Sequence, residues 1–177
     1  ATQSNDDCPK GGTMQRILMS GALALAPRVR LQPDAQGAHG PHAQDLPVDL
    51  AAERRNGDFV RGQILAGAIA ACHDCADGGL LVALSEMTYT NGIGAEVNFP
   101  EGVNPAAYGF GEDQARYIIA IPMEHRDSIL EEAAAANIPV TRLGKTGGNR
   151  LVVNGLLDIP TADLRTAHER WFPEFMG

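Results

Sequence analysis

From residue 48 onward the chain carries a clear rhythm of apolar and polar positions, and before it hardly any. Phe59, Val60, Ile64 and Leu65 share one face at helical spacing, which predicts a helix over residues 49–69 with Asp49 as its cap. Gly57, Gly62 and Gly67 lower helix propensity there and suggest close packing against a neighbour. Ala70 to Cys75 reads as a short strand, followed by the turn Ala76-Asp77-Gly78-Gly79. A second helix then runs from Leu80 to Thr88, stopped by Asn91-Gly92.

Gly94 to Phe99 reads as a strand, and a polar, glycine-rich loop follows as far as Gly111-Glu112-Asp113-Gln114. Ala115 to Ile121 is a strongly β-branched strand. Met123 to Ala136 is a helix, closed by Asn137 and Pro139. Val140 to Lys145 and Arg150 to Asn154 read as a hairpin around Gly147-Gly148. Thr161 caps a last helix carrying His168, Trp171 and Phe172. The order predicts an α+β fold, one mixed sheet with helices packed against it. Ahead of Pro47 the breakers Gly11-Gly12, Pro27, Pro33, Gly37, Gly40 and Pro41 predict irregular chain, with one short helix around Met14 to Ala26. The expected organisation is an irregular segment over residues 1–46 and an α/β domain over residues 47–177.

Composition narrows the function. The chain has 177 residues, 44% hydrophobic and 20% charged, the profile of a globular domain with a sizeable core. A formal net charge of -8 with no Lys/Arg run speaks against a nucleic-acid partner. A phosphorylated small molecule stays open, because backbone N–H groups bind phosphate on an acidic protein. Ile17 to Ala26 is too short for a membrane helix, so no membrane partner is expected. The odd set Cys8, Cys72 and Cys75 suggests no disulfide framework, and a reducing cytoplasm is the expected compartment.

Four motifs invite chemistry. Cys72-His73-Asp74-Cys75 has the spacing of a redox pair or half a zinc site. A zinc site needs a second ligand pair, though, and Cys8, His39 and His42 lie at irregular spacing; a redox pair should open a helix, and here another turn follows. His73 reads as a hydrogen-bonded structural histidine. In Asp74-Cys75-Ala76-Asp77-Gly78-Gly79, an acidic glycine-rich turn opening a helix has the form of a phosphate or Mg²⁺ site. Asp77 as a plain N-cap is the simpler alternative. In Gly111-Glu112-Asp113-Gln114, Glu and Gln two apart project to one side, where Glu can accept from a ribose hydroxyl and Gln can donate and accept. A solvated loop with a strand cap is the alternative. Gly144-Lys145-Thr146 imitates the end of a P-loop, but the earlier glycine is missing, and the motif falls in a hairpin.

Taken in order, Pro47-Val48-Asp49-Leu50, Arg55-Asn56-Gly57-Asp58-Phe59-Val60, Cys72-His73-Asp74, Ala76 to Leu80, Gly92-Ile93-Gly94-Ala95, Phe110 to Tyr117 and Ala167-His168-Glu169 with Trp171-Phe172-Pro173 resemble one family. It is the large subunit of formylglycinamidine ribonucleotide synthase (phosphoribosylformylglycinamidine synthase), in the short bacterial form. The resemblance covers residues 47–177. That family holds two tandem copies of a module shared with aminoimidazole ribonucleotide synthetase, selenophosphate synthetase and thiamine phosphate kinase. This chain is similar to the C-terminal α/β half of the second copy.

The resemblance implies a part of an ATP-dependent carbon–nitrogen ligase of purine biosynthesis. The parent phosphorylates the formyl-amide oxygen of formylglycinamide ribonucleotide with ATP and Mg²⁺, and glutamine-derived ammonia displaces the phosphate. Its implied partners are the remaining domains of the large subunit, a glutaminase subunit, a small bridging subunit and the ribonucleotide. No catalytic or metal-binding residue of the family falls on this chain, which implies no cofactor of its own and no activity alone. Glu112, Asp113 and Gln114 carry over as candidate nucleotide- or substrate-binding residues, with Asp77, Gly78 and Gly79 behind them. A docking domain without ligand is the alternative. Cys75 and Ala76 depart from the aliphatic residue and serine usual in the family, which makes the C-x-x-C a coincidence. Residues 1–46 do not fit the family's opening strand; a sheet lacking that strand would expose an unpaired edge.

Overall fold

The computed structural model describes residues 49–112 and 115–177, together with the backbone of residues 22–25. Strand β1 (Ala22–Leu25) precedes helix α1 (Leu50–Leu65), β2 (Ala71–Asp74) and α2 (Gly79–Asn91). Next come β3 (Ala95–Val97), a short α3 (Pro105–Phe110), β4 (Tyr117–Ala120), a 3-10 turn (Met123–His125) and α4 (Arg126–Ala135). β5 (Val140–Thr146), β6 (Arg150–Val153), β7 (Leu157–Pro160) and α5 (Thr161–Met176) complete the chain. The seven strands form one sheet in the order β2-β4-β1-β5-β3-β6-β7. All neighbours are antiparallel except β3 and β6, so the sheet is mixed and the fold is α+β.

Period-2 alternation along β4 divides the core between the two faces of the sheet. Ile118 joins Leu80, Leu81, Ala83 and Leu84 of α2 with Val97, Leu143, Leu151 and Val153. Ile119 points the other way, into a cluster with Val60 of α1 and Ile129 and Ala133 of α4. Arg165 of α5 donates to the Tyr89 and Thr90 carbonyls, placing a cation at the C-terminal end of α2, while His168 stacks on Tyr89 at 5.0 Å.

Several expectations are corrected. Residues 22–25 lie in neither a helix nor an irregular segment: β1 sits inside the sheet between β4 and β5, so no edge is open there. The rest of the expected Met14–Ala26 helix lies outside the described residues. β5 and β6 do not pair as a hairpin, because β3 lies between them. The Gly147-Gly148 turn closes around Gly94: the Gly94 N–H donates to Gly148 O at 3.0 Å, and Gly94 O accepts from Gly147 N at 2.8 Å. A Cβ on Gly94 would meet Arg150 O at 2.2 Å, and one on Gly144 would meet Glu96 O at 1.9 Å, so bare backbone at both positions lets β3 slip in. The supposed loop before Gly111 holds α3, capped by the Asn104 side chain with Pro105 in its first turn. None of the three glycines near α1 marks close packing: a Cβ on Gly57 would make ordinary contact with the Tyr117 hydroxyl at 3.4 Å, Gly62 faces open space, and Gly67 lies beyond the helix with φ 71.

Candidate functional site

Asp49 caps α1 as expected, its Oδ1 accepting the Ala52 N–H at 2.9 Å. The cap of α2 differs from expectation: Gly78, not Asp77, takes the N-cap position, at φ 73 and with no side chain to offer. The missing acceptor comes from a distant segment. Glu112 Oε1 accepts the Gly78 N–H at 2.9 Å, which sets a carboxylate at the positive end of a 13-residue helix.

The two candidate segments are therefore one surface. The Cys75 N–H donates to Arg116 O at 3.0 Å where β2 ends and the turn begins. At Gly79 the backbones of turn and loop touch; an added Cβ would lie 2.7 Å from Phe110 C and 2.9 Å from Gly111 O. Arg116, 3% exposed, donates to Gly111 O and Tyr108 O, each at 3.1 Å, and stacks over the Tyr108 ring at 5.1 Å. Burial pushes the Tyr108 hydroxyl up in pKa, and Arg116 partly offsets it.

Glu112 and Asp77 are exposed, whereas Gly79 is buried. Among the described residues the second Glu112 oxygen, Oε2, takes no hydrogen bond, so it is placed to accept from a hydroxyl. A phosphate at this helix end would meet the Glu112 charge. Asp113 and Gln114 lie outside the described residues. No group of three His, Cys, Asp or Glu side chains suited to a metal is found among the described residues.

The remaining motifs resolve into structure. Cys72 packs among the residues around α1 and α4, whereas Cys75 is buried on the α2 side, and neither is in a disulfide. Burial, reinforced by Asp74, raises the pKa of the Cys72 thiol, the reverse of what a redox or zinc thiolate needs. His73 pairs with Glu86 of α2 at 2.8 Å and touches its neighbour Asp74. Lys145 lies on β5 and pairs with Glu96 opposite it on β3 at 2.8 Å, which removes any P-loop role. Asn56 and Arg116 were not singled out from the sequence as site residues. A polar residue on the buried stripe of a helix and an Arg at the head of a buried strand were the available signals.

Known proteins agree with this architecture. Phosphoribosylformylglycinamidine synthase subunit PurL of Parvibaculum lavamentivorans is 50% identical over 145 residues, covering 81% of this chain and 20% of that protein. The chain thus spans about a fifth of the length of such curated relatives. T. maritima PurL complexed with ATP superposes with a TM-score of 0.63 at 18% identity, covering 82% of this chain and 25% of that one. T. maritima PurL complexed with FGAR gives 0.61 at 16%, covering 84% and 28%. At such identities these structures show the fold. No helix among the described residues is long and apolar enough to cross a membrane. The signature of the AIR synthase related protein, C-terminal domain family matches residues 20–154, and the chain belongs to that family.

Proposed function

We propose that this domain is a C-terminal part of a phosphoribosylformylglycinamidine synthase large subunit. In that setting it contributes a ribonucleotide-binding surface rather than catalytic groups. The identity of about half to curated PurL subunits supports the parent assignment. The Glu112–Gly78 hydrogen bond carries the site, because it joins the two candidate segments. In the proposal Glu112 Oε2 accepts from a ribose hydroxyl and the Asp77-Gly78-Gly79 turn supports it, with Asp113 and Gln114, next in sequence, as the further candidates.

The parent reaction would consume ATP with Mg²⁺ and glutamine-derived ammonia, joining carbon to nitrogen in purine biosynthesis in the cytoplasm. The ATP and FGAR complexes of T. maritima PurL favour nucleotide chemistry in such a parent. The partners would be its other domains and the glutaminase and bridging subunits, in line with a solved T. maritima assembly named PurLQS. Residues 47–177, completed by β1, would be the folded unit.

A second reading, docking without ligand, is favoured by one observation. Trp171, Phe172, Phe175 and Met176 of α5 are all exposed, and the Trp171 and Phe175 rings stack at 5.6 Å. Calorimetric titration of the chain with formylglycinamide ribonucleotide, and separately with Mg-ADP, decides between the two. Heat above dilution with the ribonucleotide supports the binding surface. No heat with either, from a folded protein, leaves the docking reading.

A further inference from the structure

The chain holds three Asn-Gly pairs, Asn56-Gly57, Asn91-Gly92 and Asn154-Gly155, and the fold gives each a different setting. In this pair the backbone nitrogen of the second residue reaches the side-chain amide of the first most readily, because glycine has no Cβ to block the approach. Asn56 lies in the middle of α1, 1% exposed, with its Nδ2 donating to Ala115 O at 3.1 Å. Asn154 is exposed but tied down. Its N–H donates to Val97 O at 3.1 Å, its Nδ2 donates to Asn98 Oδ1, and the Leu156 N–H closes the turn on Val153 O at 2.9 Å.

Asn91 is the last residue of α2, exposed, and among the described residues its side chain has no hydrogen-bond partner. Gly92, also exposed, has nothing within 4 Å of the place a Cβ would take. Helix ends fray first, so turning the Asn91 amide toward the Gly92 nitrogen needs only the last residues of α2 to open. At Asn154 the same rotation has to break a tight turn and a side-chain bond, and at Asn56 it has to break the middle of a helix.

We propose that Asn91 is a spontaneous modification site, converted to aspartate and isoaspartate in the folded protein while Asn154 lags and Asn56 is spared. Solvent base takes the Gly92 N–H proton, and the nitrogen attacks the Asn91 side-chain carbonyl carbon. The Cγ–Nδ2 bond breaks, ammonia leaves, and a cyclic imide closes. Water then opens the ring, at the side-chain carbonyl to give aspartate or at the main-chain carbonyl to give isoaspartate. The isoaspartyl form carries an extra backbone carbon just ahead of Gly94, whose N–H and O hold the Gly147-Gly148 turn, and it loosens that junction of α2 with β3.

The test incubates the chain at neutral and mildly alkaline pH, folded and in guanidinium chloride, and follows each asparagine by peptide mass spectrometry. In the folded protein Asn91 is expected to convert about tenfold faster than Asn154 or more, with Asn56 unchanged and the three rates converging on unfolding. The Asn91 rate should rise with pH. Asn98→Ala, which removes the acceptor on Asn154, should raise the Asn154 rate toward that of Asn91 and leave Asn91 as it was. In aged protein the Gly94 and Gly147 amides should exchange hydrogen faster than in fresh protein. Conversion of Asn154 or Asn56 ahead of Asn91, or the same ranking folded and unfolded, overturns the site. Equal protection of Gly94 and Gly147 in fresh and isoaspartyl protein overturns the loosened junction.

Discussion

Glu112 and Gly78 are 34 positions apart in sequence, yet the carboxylate of one accepts the backbone N–H of the other at 2.9 Å. The bond completes the first turn of α2, where glycine provides no cap of its own, and puts a negative charge where the helix dipole favours one. Replacing Glu112 by Ala should lower stability by about 0.5–1.5 kcal/mol, and Glu112→Gln by less, because an amide oxygen still accepts. Urea unfolding midpoints of the two variants check this order. Equal loss in both would mean that charge, not the hydrogen bond, matters.

Close backbone contact at Gly79 predicts a second difference. Gly67 and Gly79 share a positive φ, 71 and 74, but only Gly79 has backbone atoms within 3 Å of an added Cβ. Gly67→Ala should cost about 1–2 kcal/mol from conformation alone. Gly79→Ala should cost about 1–3 kcal/mol more, from overlap with Phe110 and Gly111. Chemical denaturation of the pair separates strain from crowding.

Gly62 should behave in the opposite sense. It lies within α1, and nothing approaches the place its Cβ would take. Gly62→Ala is expected to raise stability by about 0.5–1 kcal/mol, seen as a higher melting temperature.

Cys72 gives a pH prediction. Its thiol pKa is raised above the ordinary 9.0, chiefly by burial and then by Asp74. The folded state therefore holds the proton more tightly than the unfolded state does. This contribution is fully present below pH 9.0 and is lost as pH rises through the raised value. Stability should fall more steeply above that pH in wild type than in Cys72→Ala, by denaturant titration across an alkaline series. Cys75→Val, at a buried core position, should leave ligand binding unchanged, whereas a redox or zinc role would abolish function with it.

The long, strongly patterned elements were legible in the sequence. Asp49 as a cap marked α1, but of the apolar face read from the sequence only Val60 is buried while Ile64 and Leu65 are exposed, the packed stripe being Ala52, Asn56, Val60 and Gln63. Gly92 at φ 65 ended α2 where Asn91-Gly92 predicted. Ala22–Leu25 was not legible, since four apolar residues carry no period that separates strand from helix. Gly147-Gly148 signalled a turn, but no local pattern says that Gly94 threads it and parts β5 from β6. The candidate site was legible only in its parts. Turn chemistry marked residues 77–79 and the strand-leading Glu112, while their contact depends on the packing of α3 against α2 and had no local signature. Asn104-Pro105, a cap followed by proline, carried a signal for α3 that the loop reading missed.

The most direct test is amide chemical-shift mapping of the labelled 177-residue chain titrated with formylglycinamide ribonucleotide. The account predicts saturable shifts centred on Gly78, Gly79, Gly111, Glu112 and Ala115, and their loss in Glu112→Ala. Absence of shifts at these amides in a folded protein, or shifts centred on α5 instead, would contradict it.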